Sequence, residues 1–148
     1  MNIIQGNRLI AYVYHDDEQN IPYATSDDEG FTWSTVKTTF LAKALRNPQL
    51  SGNVGGVYFL HGRSGQRGDA PRNLVLYRSV NGIDWDAGVF LNRGPVDDSD
   101  SYSTNEIIGK YDASQPRSLL IQATIAYDGV RRVNLHHWQV APARSASD

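Results

Sequence analysis

The chain has 148 residues, a net charge of -2 and 40% apolar residues, which suits one domain with its own core. It has no cysteine, which excludes disulfides, thiolate nucleophiles and zinc-cysteine sites. The small net charge argues against a nucleic-acid partner. The sequence has no long apolar run and does not start with a basic segment followed by an apolar one, which predicts a soluble protein without a membrane span. The sequence leaves its compartment open.

Short apolar runs separated by turn residues predict an all-β protein. In chain order, the predicted strands are Arg8–Tyr14, Ile21–Ser26, Thr35–Phe40, Gly56–Gly62, Asn73–Ser79, Gly88–Asn92, Ser103–Ile108, Leu119–Tyr127 and Arg132–Trp138. A further inner strand is expected to begin at LRNPQL, and only Thr39–Leu45 is compatible with a helical turn. We expect the polar tail APARSASD, residues 141–148, to be disordered.

The predicted strands repeat as a group. RLIAYVYH, VYFLHGRS and LLIQATIAY can be aligned, as can IPYATSDDEGFTW and LVLYRSVNGIDW. The alignment divides residues 1–140 into roughly three units of about fifty residues, a period that is typical of four-stranded propeller blades. An ordinary β-sandwich is the alternative.

Two turns in the repeat share an order of polar residues that ends on a tryptophan. The turn residues are Ser26, Asp28, Gly30, Thr32 and Trp33 in SDDEGFTW, and Ser79, Asn81, Gly82 and Trp85 in YRSVNGIDW. In such a turn the Asp or Asn side chain accepts backbone N–H bonds, the Ser hydroxyl closes the turn and Gly supplies a positive φ. We expect each tryptophan to fold back as an apolar plug, so all these residues are predicted to be structural.

The pattern S-x-D-x-G-x-T-W resembles the Asp-box of sialidases and related six-bladed β-propellers. SDDEGFTW matches it at every defining position, SVNGIDW looks like a degenerate copy, and Asp128-Gly129 looks like a remnant of a third. The resemblance implies a sialidase-like propeller segment of about three four-stranded blades, covering about the C-terminal half of a six-bladed sialidase. Because non-catalytic propellers also carry Asp-boxes, the motif indicates the fold better than the activity.

Two further segments resemble parts of the sialidase active site. APRNLVLYRSVNGIDW is similar to the stretch in which an Arg of the carboxylate-clamping triad opens a strand that leads into an Asp-box, which implies that role for Arg72. DSDSYSTNEIIGKY looks like the start of the last blade, which implies that Tyr102 is the nucleophile of a retaining hydrolase. A neutral phenol suits an anionic sugar, because a carboxylate nucleophile would be repelled, but it needs a nearby carboxylate to accept its proton.

Other candidate binding residues lie at strand ends. His61 and Arg63 precede a Gly-rich loop, and Arg46 and Gln49 begin the expected inner strand, where side chains can point into a propeller channel. For His61 and Arg63 the alternative is a loop stabilised by local hydrogen bonds. Arg outnumbers Lys by 11 to 3, which favours a planar anionic ligand, although surface pairing with the 16 acidic residues explains this excess equally well.

Candidate acids near Tyr102 are Asp98, Asp100 and Glu106, for which a solvated loop is the alternative. His136-His137 lacks a nearby third ligand, so we predict neither a metal site nor a cofactor.

The chain departs from the family pattern in three places. The Glu that accepts the phenol proton would fall at or before Met1, Asn20-Ile21-Pro22 stands where the second triad Arg is expected, and the first triad Arg belongs to a blade that is not in this chain. One hypothesis is a glycan-recognising protein derived from an exo-sialidase-like hydrolase; another is a non-catalytic carbohydrate-binding or assembly module. Both predict a carbohydrate partner, sialic acid or another acidic sugar, whereas a third, a propeller for protein contacts, predicts none.

Three blades in an open arc would leave two apolar sheet faces exposed. We consider three ways to cover them: a second copy that completes a six-bladed ring as a homodimer, further sequence of a longer parent protein, or a different closed arrangement of the same strands.

Overall fold

The computed structural model describes residues 2–3, 7–52, 54–65, 71–92, 102–108, 118–126 and 133–140. The strands in this part of the chain are β1 (Asn2–Ile3), β2 (Leu9–Tyr12), β3 (Asn20–Ser26), β4 (Lys37–Phe40), β5 (Arg46–Leu50), β6 (Tyr58–Arg63), β7 (Leu74–Ser79), β8 (Val89–Phe90), β9 (Tyr102–Ile108), β10 (Ser118–Ala126) and β11 (Val133–Val140). These described residues contain no helix, so the all-β prediction is confirmed.

The strands form three antiparallel sheets in which chain neighbours are also spatial neighbours. Sheet 1 contains β1 to β4, sheet 2 contains β5 to β8, and sheet 3 contains β9 to β11 within the described residues. The aligned segments fall on β2, β6 and β10, so the sequence repeat corresponds to a repeat of sheets. All nine predicted strands are present with their bounds shifted by at most two residues, the inner strand at LRNPQL is β5, and β1 was not predicted.

Sheet 2 is the centre of the apolar core because both of its faces are covered. Successive side chains of a strand point to opposite faces. Leu60 and Tyr77 therefore pack with Ile21 of sheet 1, whereas Phe59 and Leu76 pack with Ile121 of sheet 3. The sheets are stacked in the order 1, 2, 3.

The three sheets are also stacked in the same orientation, so that corresponding ends of their strands lie together. Ile10 packs with Tyr58, each near the beginning of the second strand of its sheet. Leu74 packs with Ala123 and Ile125, at the end where β6 leads into β7 and β10 leads towards β11. The β2–β3 and β6–β7 connections consequently lie at one end of the stack, and the two Asp-box turns, between β3 and β4 and between β7 and β8, lie at the opposite end.

The segment Thr39–Leu45, which is compatible with a helical turn by sequence, does not form one. Strand β4 continues to Phe40, after which the Leu41 N–H donates to the Gln19 carbonyl at 2.8 Å and the Leu45 N–H donates to the Glu18 carbonyl at 2.7 Å. Both leucine side chains are fully buried. Pairing with the β2–β3 loop and burial of both leucines override the local helical preference.

The first Asp-box turn is closed by its own side chains. The Ser26 hydroxyl accepts the Gly30 N–H at 2.9 Å and donates to the Asp28 carboxylate at 2.8 Å. Asp28 also accepts the Thr32 N–H at 2.8 Å and the Thr32 hydroxyl at 2.6 Å. These bonds from Thr32, followed by the bond from Ser26, hold the pKa of Asp28 below its ordinary value. Gly30 has a φ of 93°, which most other residues adopt only with strain.

The second turn has the same bonds with an amide in place of the carboxylate. The Ser79 hydroxyl accepts the Gly82 N–H at 2.8 Å and donates to the Asn81 side-chain oxygen at 2.9 Å. That oxygen also accepts the N–H groups of Ile83 and Asp84, both at 2.9 Å. An amide oxygen thus performs the accepting role of Asp28 in this shorter turn.

The two turn tryptophans differ in burial. The Trp85 indole N–H donates to the Tyr12 hydroxyl at 3.1 Å, and the ring packs on the core between sheets 1 and 2. The Trp33 indole N–H donates to Gly30 of its own turn at 3.0 Å, and this residue remains 39% exposed. The expected apolar plug is therefore formed by Trp85 but not by Trp33, because no described sheet covers that side of sheet 1.

Replacement of Leu60, which is fully buried between sheets 1 and 2, tests the stacked core. We expect Leu60→Ala to lower the free energy of unfolding by about 2–5 kcal/mol through lost burial and a residual cavity. Val80→Ala is the control, because Val80 is 81% exposed and its truncation should change stability by less than about 0.5 kcal/mol. Urea unfolding measures both, and equal effects of the two variants would contradict the packing described.

Candidate functional site

The predicted binding residues gather at the end of the stack opposite the Asp-box turns. Arg46 opens β5 directly opposite Arg63, the last residue of β6, and Arg63 in turn lies opposite Leu74 of β7. Arg72 stands two residues before Leu74. We call this part of the molecule the arginine end, defined by Arg46, Arg63 and Arg72.

His61 and Arg63 lie on the side of β6 that faces sheet 3. They alternate with Leu60 and share the face of Phe59, which packs with sheet 3. His61 is 1% exposed and Arg63 is 9% exposed. The neighbouring strand β9 contacts both β5 and β6. These two polar side chains are thus enclosed between sheets and belong to strand β6, whereas the alternative interpretation placed them in a loop stabilised by local hydrogen bonds.

Burial changes the acid–base behaviour of His61. Removal of the imidazole from water disfavours its charged form and lowers the pKa of His61 to about 4. The ring is therefore neutral at pH 7, where it can offer one hydrogen-bond donor and one acceptor without adding charge. Its cross-strand neighbour Gln49 is exposed on β5.

Arg46 is fixed by two residues of the β2–β3 loop. Its Nε lies 3.3 Å from a carboxylate oxygen of Glu18, and its guanidinium carbon lies 5.3 Å from the centre of the Tyr14 ring. The ion pair is partly buried, and the ring contact has the geometry of a cation–π interaction. Glu18 and Tyr14 together orient the guanidinium of Arg46 at the start of β5.

Two glycines allow the backbone segments of this end to approach closely. A Cβ atom at Gly62 would lie 2.5 Å from the Arg46 carbonyl oxygen, and a side chain at Gly65 would overlap Glu18. Strand β5 also carries a register shift between Arg46 and Gln49, beside Asn47 with a φ of 51°. The absence of a side chain at both glycines brings β5, the β2–β3 loop and the end of β6 together.

Arg72 has an unusual backbone conformation. Its φ of 62° lies in the left-handed region, which is uncommon for residues other than glycine. The Arg72 N–H donates to the Gly65 carbonyl at 3.0 Å, which closes the β6–β7 loop. Directly after it, the buried Asn73 accepts a hydrogen bond at 2.7 Å from Asn92, whose side-chain oxygen accepts the Leu74 N–H at 2.8 Å. The arginine is therefore held between two hydrogen-bonded anchors.

Of Tyr102, the structure describes the backbone, which begins β9 and pairs with Thr124 of β10. Glu106 lies further along the same strand, opposite Leu120. The side chains of both residues lie outside the described part of the chain, as do Asp98, Asp100, the Asp128-Gly129 pair and the tail of residues 141–148.

Sequence reasoning missed Glu18, Tyr14 and the Asn73–Asn92 pair. The only sequence signal for Glu18 is that HDDEQN is longer than a tight hairpin turn requires. The contact of Glu18 with Arg46 joins residues far apart in the chain, so no local pattern reports it.

Among the described residues, no group of three or more His, Cys, Asp or Glu side chains is placed to hold a metal ion. The described strands and loops include no helix long and apolar enough to cross a membrane.

No protein-family model matches the sequence, and a search of curated proteins finds no match either.

The buried His61 predicts a loss of stability in acid. Its pKa is about 4 in the folded state against 6.5 for an unperturbed imidazole, so between these values the unfolded chain binds more protons. Stability should consequently fall as the pH decreases from about 6.5 to about 4, by up to about 3 kcal/mol from this group.

Urea unfolding of the parent and of His61→Gln at pH 7 and pH 4.5 measures this contribution. His61→Gln should show a smaller loss of stability in acid than the parent, because the titrating group has been removed. His15→Gln, which removes an exposed loop imidazole, is the control variant and should behave as the parent does. An identical acid loss in His61→Gln and the parent would contradict the burial of a neutral His61.

Proposed function

We propose that this chain is a sialidase-like propeller segment that recognises an acidic sugar at its arginine end. The observation that carries the proposal is the position of Arg46, Arg63, Arg72 and the neutral His61 near one end of three adjacent strands. Guanidinium groups form paired, charge-assisted hydrogen bonds with a carboxylate, and a neutral imidazole can bond to a sugar hydroxyl.

The blade interpretation is supported by the repetition of local structure. Each sheet is an antiparallel meander, and the same Asp-box hydrogen bonds join the third and fourth strands of sheets 1 and 2. Two faces of sheet 2 pack on like-oriented neighbours, which is the packing a blade requires.

The backbone geometry supports a binding role for the same end. Three of the four described non-glycine residues with positive φ lie there: Glu18, Asn47 and Arg72. Such conformations cost on the order of 1–3 kcal/mol each and cluster at ligand sites, where the surrounding structure holds them. Since the loops around them are closed by hydrogen bonds, we infer that the site is largely preformed.

Replacement of Arg72 tests the proposed anion contact. N-acetylneuraminic acid and glucuronic acid serve as acidic probes, and N-acetylglucosamine serves as the neutral one, each titrated calorimetrically. We expect the parent to bind an acidic probe in preference to the neutral one. Arg72→Ala should weaken that binding by about 10- to 150-fold, the equivalent of one charge-assisted hydrogen bond.

The matched control is Arg78→Ala, which removes the same charge from an exposed arginine that pairs with Asp86 towards the Asp-box end. This variant should retain the affinity of the parent. Equal weakening by both variants would indicate a general charge effect rather than a site. No binding of any of the three sugars by the folded parent would overturn the proposed function.

Catalysis is distinguished from binding by turnover. Hydrolysis of a fluorogenic sialoside by the parent that is lost in Tyr102→Phe would assign this chain to the hydrolase hypothesis. Because Asn20-Ile21-Pro22 stands where the resemblance places the second arginine of the carboxylate clamp, we expect binding without turnover, which favours the non-catalytic carbohydrate-binding module. Sialoside turnover that requires Tyr102 would contradict that expectation.

A further inference from the structure

The stacking of the sheets has a direction. We call the face that a sheet presents to the next sheet its leading face, and the opposite face its trailing face. Ile10 and Tyr23 belong to the leading face of sheet 1, because they pack with Tyr58 on the trailing face of sheet 2. Phe59 on the leading face of sheet 2 packs with Ile121 on the trailing face of sheet 3. Both interfaces therefore join a leading face to a trailing face.

Two faces take no part in these interfaces. The trailing face of sheet 1 holds the residues that alternate with the buried Ile10 and Ile21. Its described side chains are apolar or uncharged: Leu9, Ala11, Asn20, Pro22, Ala24, Ser26, Thr38 and the 63% exposed Phe40. The leading face of sheet 3 holds the residues of β10 and β11 that alternate with Leu119 and Ile121: Ser118, Leu120, Gln122, Thr124, Leu135, His137 and Gln139. These side chains include no acid, lysine or arginine, and Glu106 of β9 lies opposite Leu120 in the register of the sheet.

The Asp-box tryptophans show what is missing beside sheet 1. Trp85 donates to Tyr12 of the preceding sheet, the two rings lie 6.1 Å apart, and Tyr12 in turn donates to the Gly82 carbonyl at 2.5 Å. Trp33 occupies the same turn position in sheet 1 but remains 39% exposed beside Phe31, which is 86% exposed. The same turn thus buries its tryptophan where the leading face of a preceding sheet is present and exposes it where none is.

We propose that a second copy of this chain covers the trailing face of sheet 1 with the leading face of its sheet 3. The interface continues the one that already joins sheets 1 to 2 and 2 to 3, and on both free faces the described side chains of β2 to β4, β10 and β11 include no acid, lysine or arginine. Because each copy carries one free trailing face and one free leading face, two copies can cover all of these faces in a closed ring of six sheets. Six sheets lie within the usual range for propellers.

This inference rests on the blade interpretation but not on the proposed ligand. If the chain dimerises but binds no sugar, the dimer inference stands and the proposed function fails. If the chain is monomeric, the dimer inference fails and the titrations alone decide the proposed function.

Light scattering of the purified chain, coupled to size exclusion, tests the proposal. We expect a mass of twice 16.5 kDa for the parent. Phe40→Glu and Leu135→Glu each place a charge on one of the two faces and should each halve that mass. Val80→Glu is the matched control: Val80 is 81% exposed in the second Asp-box turn, away from both faces, and the variant should stay dimeric. All three positions are exposed, so the variants are expected to fold, which their circular dichroism checks.

Mixing the two monomeric variants distinguishes the proposed contact from a symmetric one. Phe40→Glu retains an intact leading face on sheet 3 and Leu135→Glu retains an intact trailing face on sheet 1, so the mixture should regain mass through the one undamaged contact. A monomeric unsubstituted chain would overturn the proposal. That result is expected if further sequence of a longer protein covers the two free faces. A polymeric parent, or a Leu135→Glu variant that stays dimeric, would equally overturn the closed ring.

Discussion

Burial of both faces of sheet 2 is the constraint on which the rest of the structure depends. Its central strands cannot alternate apolar and polar residues as a half-exposed strand does, and every residue of β6 is buried. Any polar group on β6 must consequently be enclosed, which is why His61 and Arg63 lie between sheets and why the imidazole is neutral. The core of the protein and its candidate site are therefore formed by the same strand.

The two ends of the stack differ in their hydrogen bonding and in their proposed roles. At one end, the Asp-box turns satisfy their own polar groups through Ser26 and Ser79, and they stabilise strand pairs without requiring a ligand. At the other, glycines bring backbone segments together around Arg46, Arg63 and Arg72, with several residues held in strained conformations. The turns that resemble Asp-boxes therefore lie at the opposite end of the stack from the residues that we propose to bind a sugar.

The strands and both turns could be predicted from the sequence because their signals are local: apolar runs, turn residues and an internal repeat. Arg46 and Arg63 became candidates because each stands at a strand end, whereas Arg72 became one through the resemblance of its segment to the sialidase stretch. The segment Thr39–Leu45 could form a helical turn by its sequence but does not, because burial of two leucines against sheet 2 decides its conformation. The exposure of Trp33 and the contact of Glu18 with Arg46 depend on which segments meet in space, and a local pattern carries no information about that. The sequence therefore predicts the sheets and locates the candidate residues, but not the groups that orient them.

Backbone amide shifts recorded during titration with N-acetylneuraminic acid test the central claim most directly, because they locate a ligand without altering any residue. The account predicts saturable shifts confined to the arginine end: the β2–β3 loop, the start of β5, the end of β6 and the residues around Arg72. The Asp-box turns should remain unaffected. Saturable shifts centred on those turns, or none at any concentration of the sugar, would contradict the account.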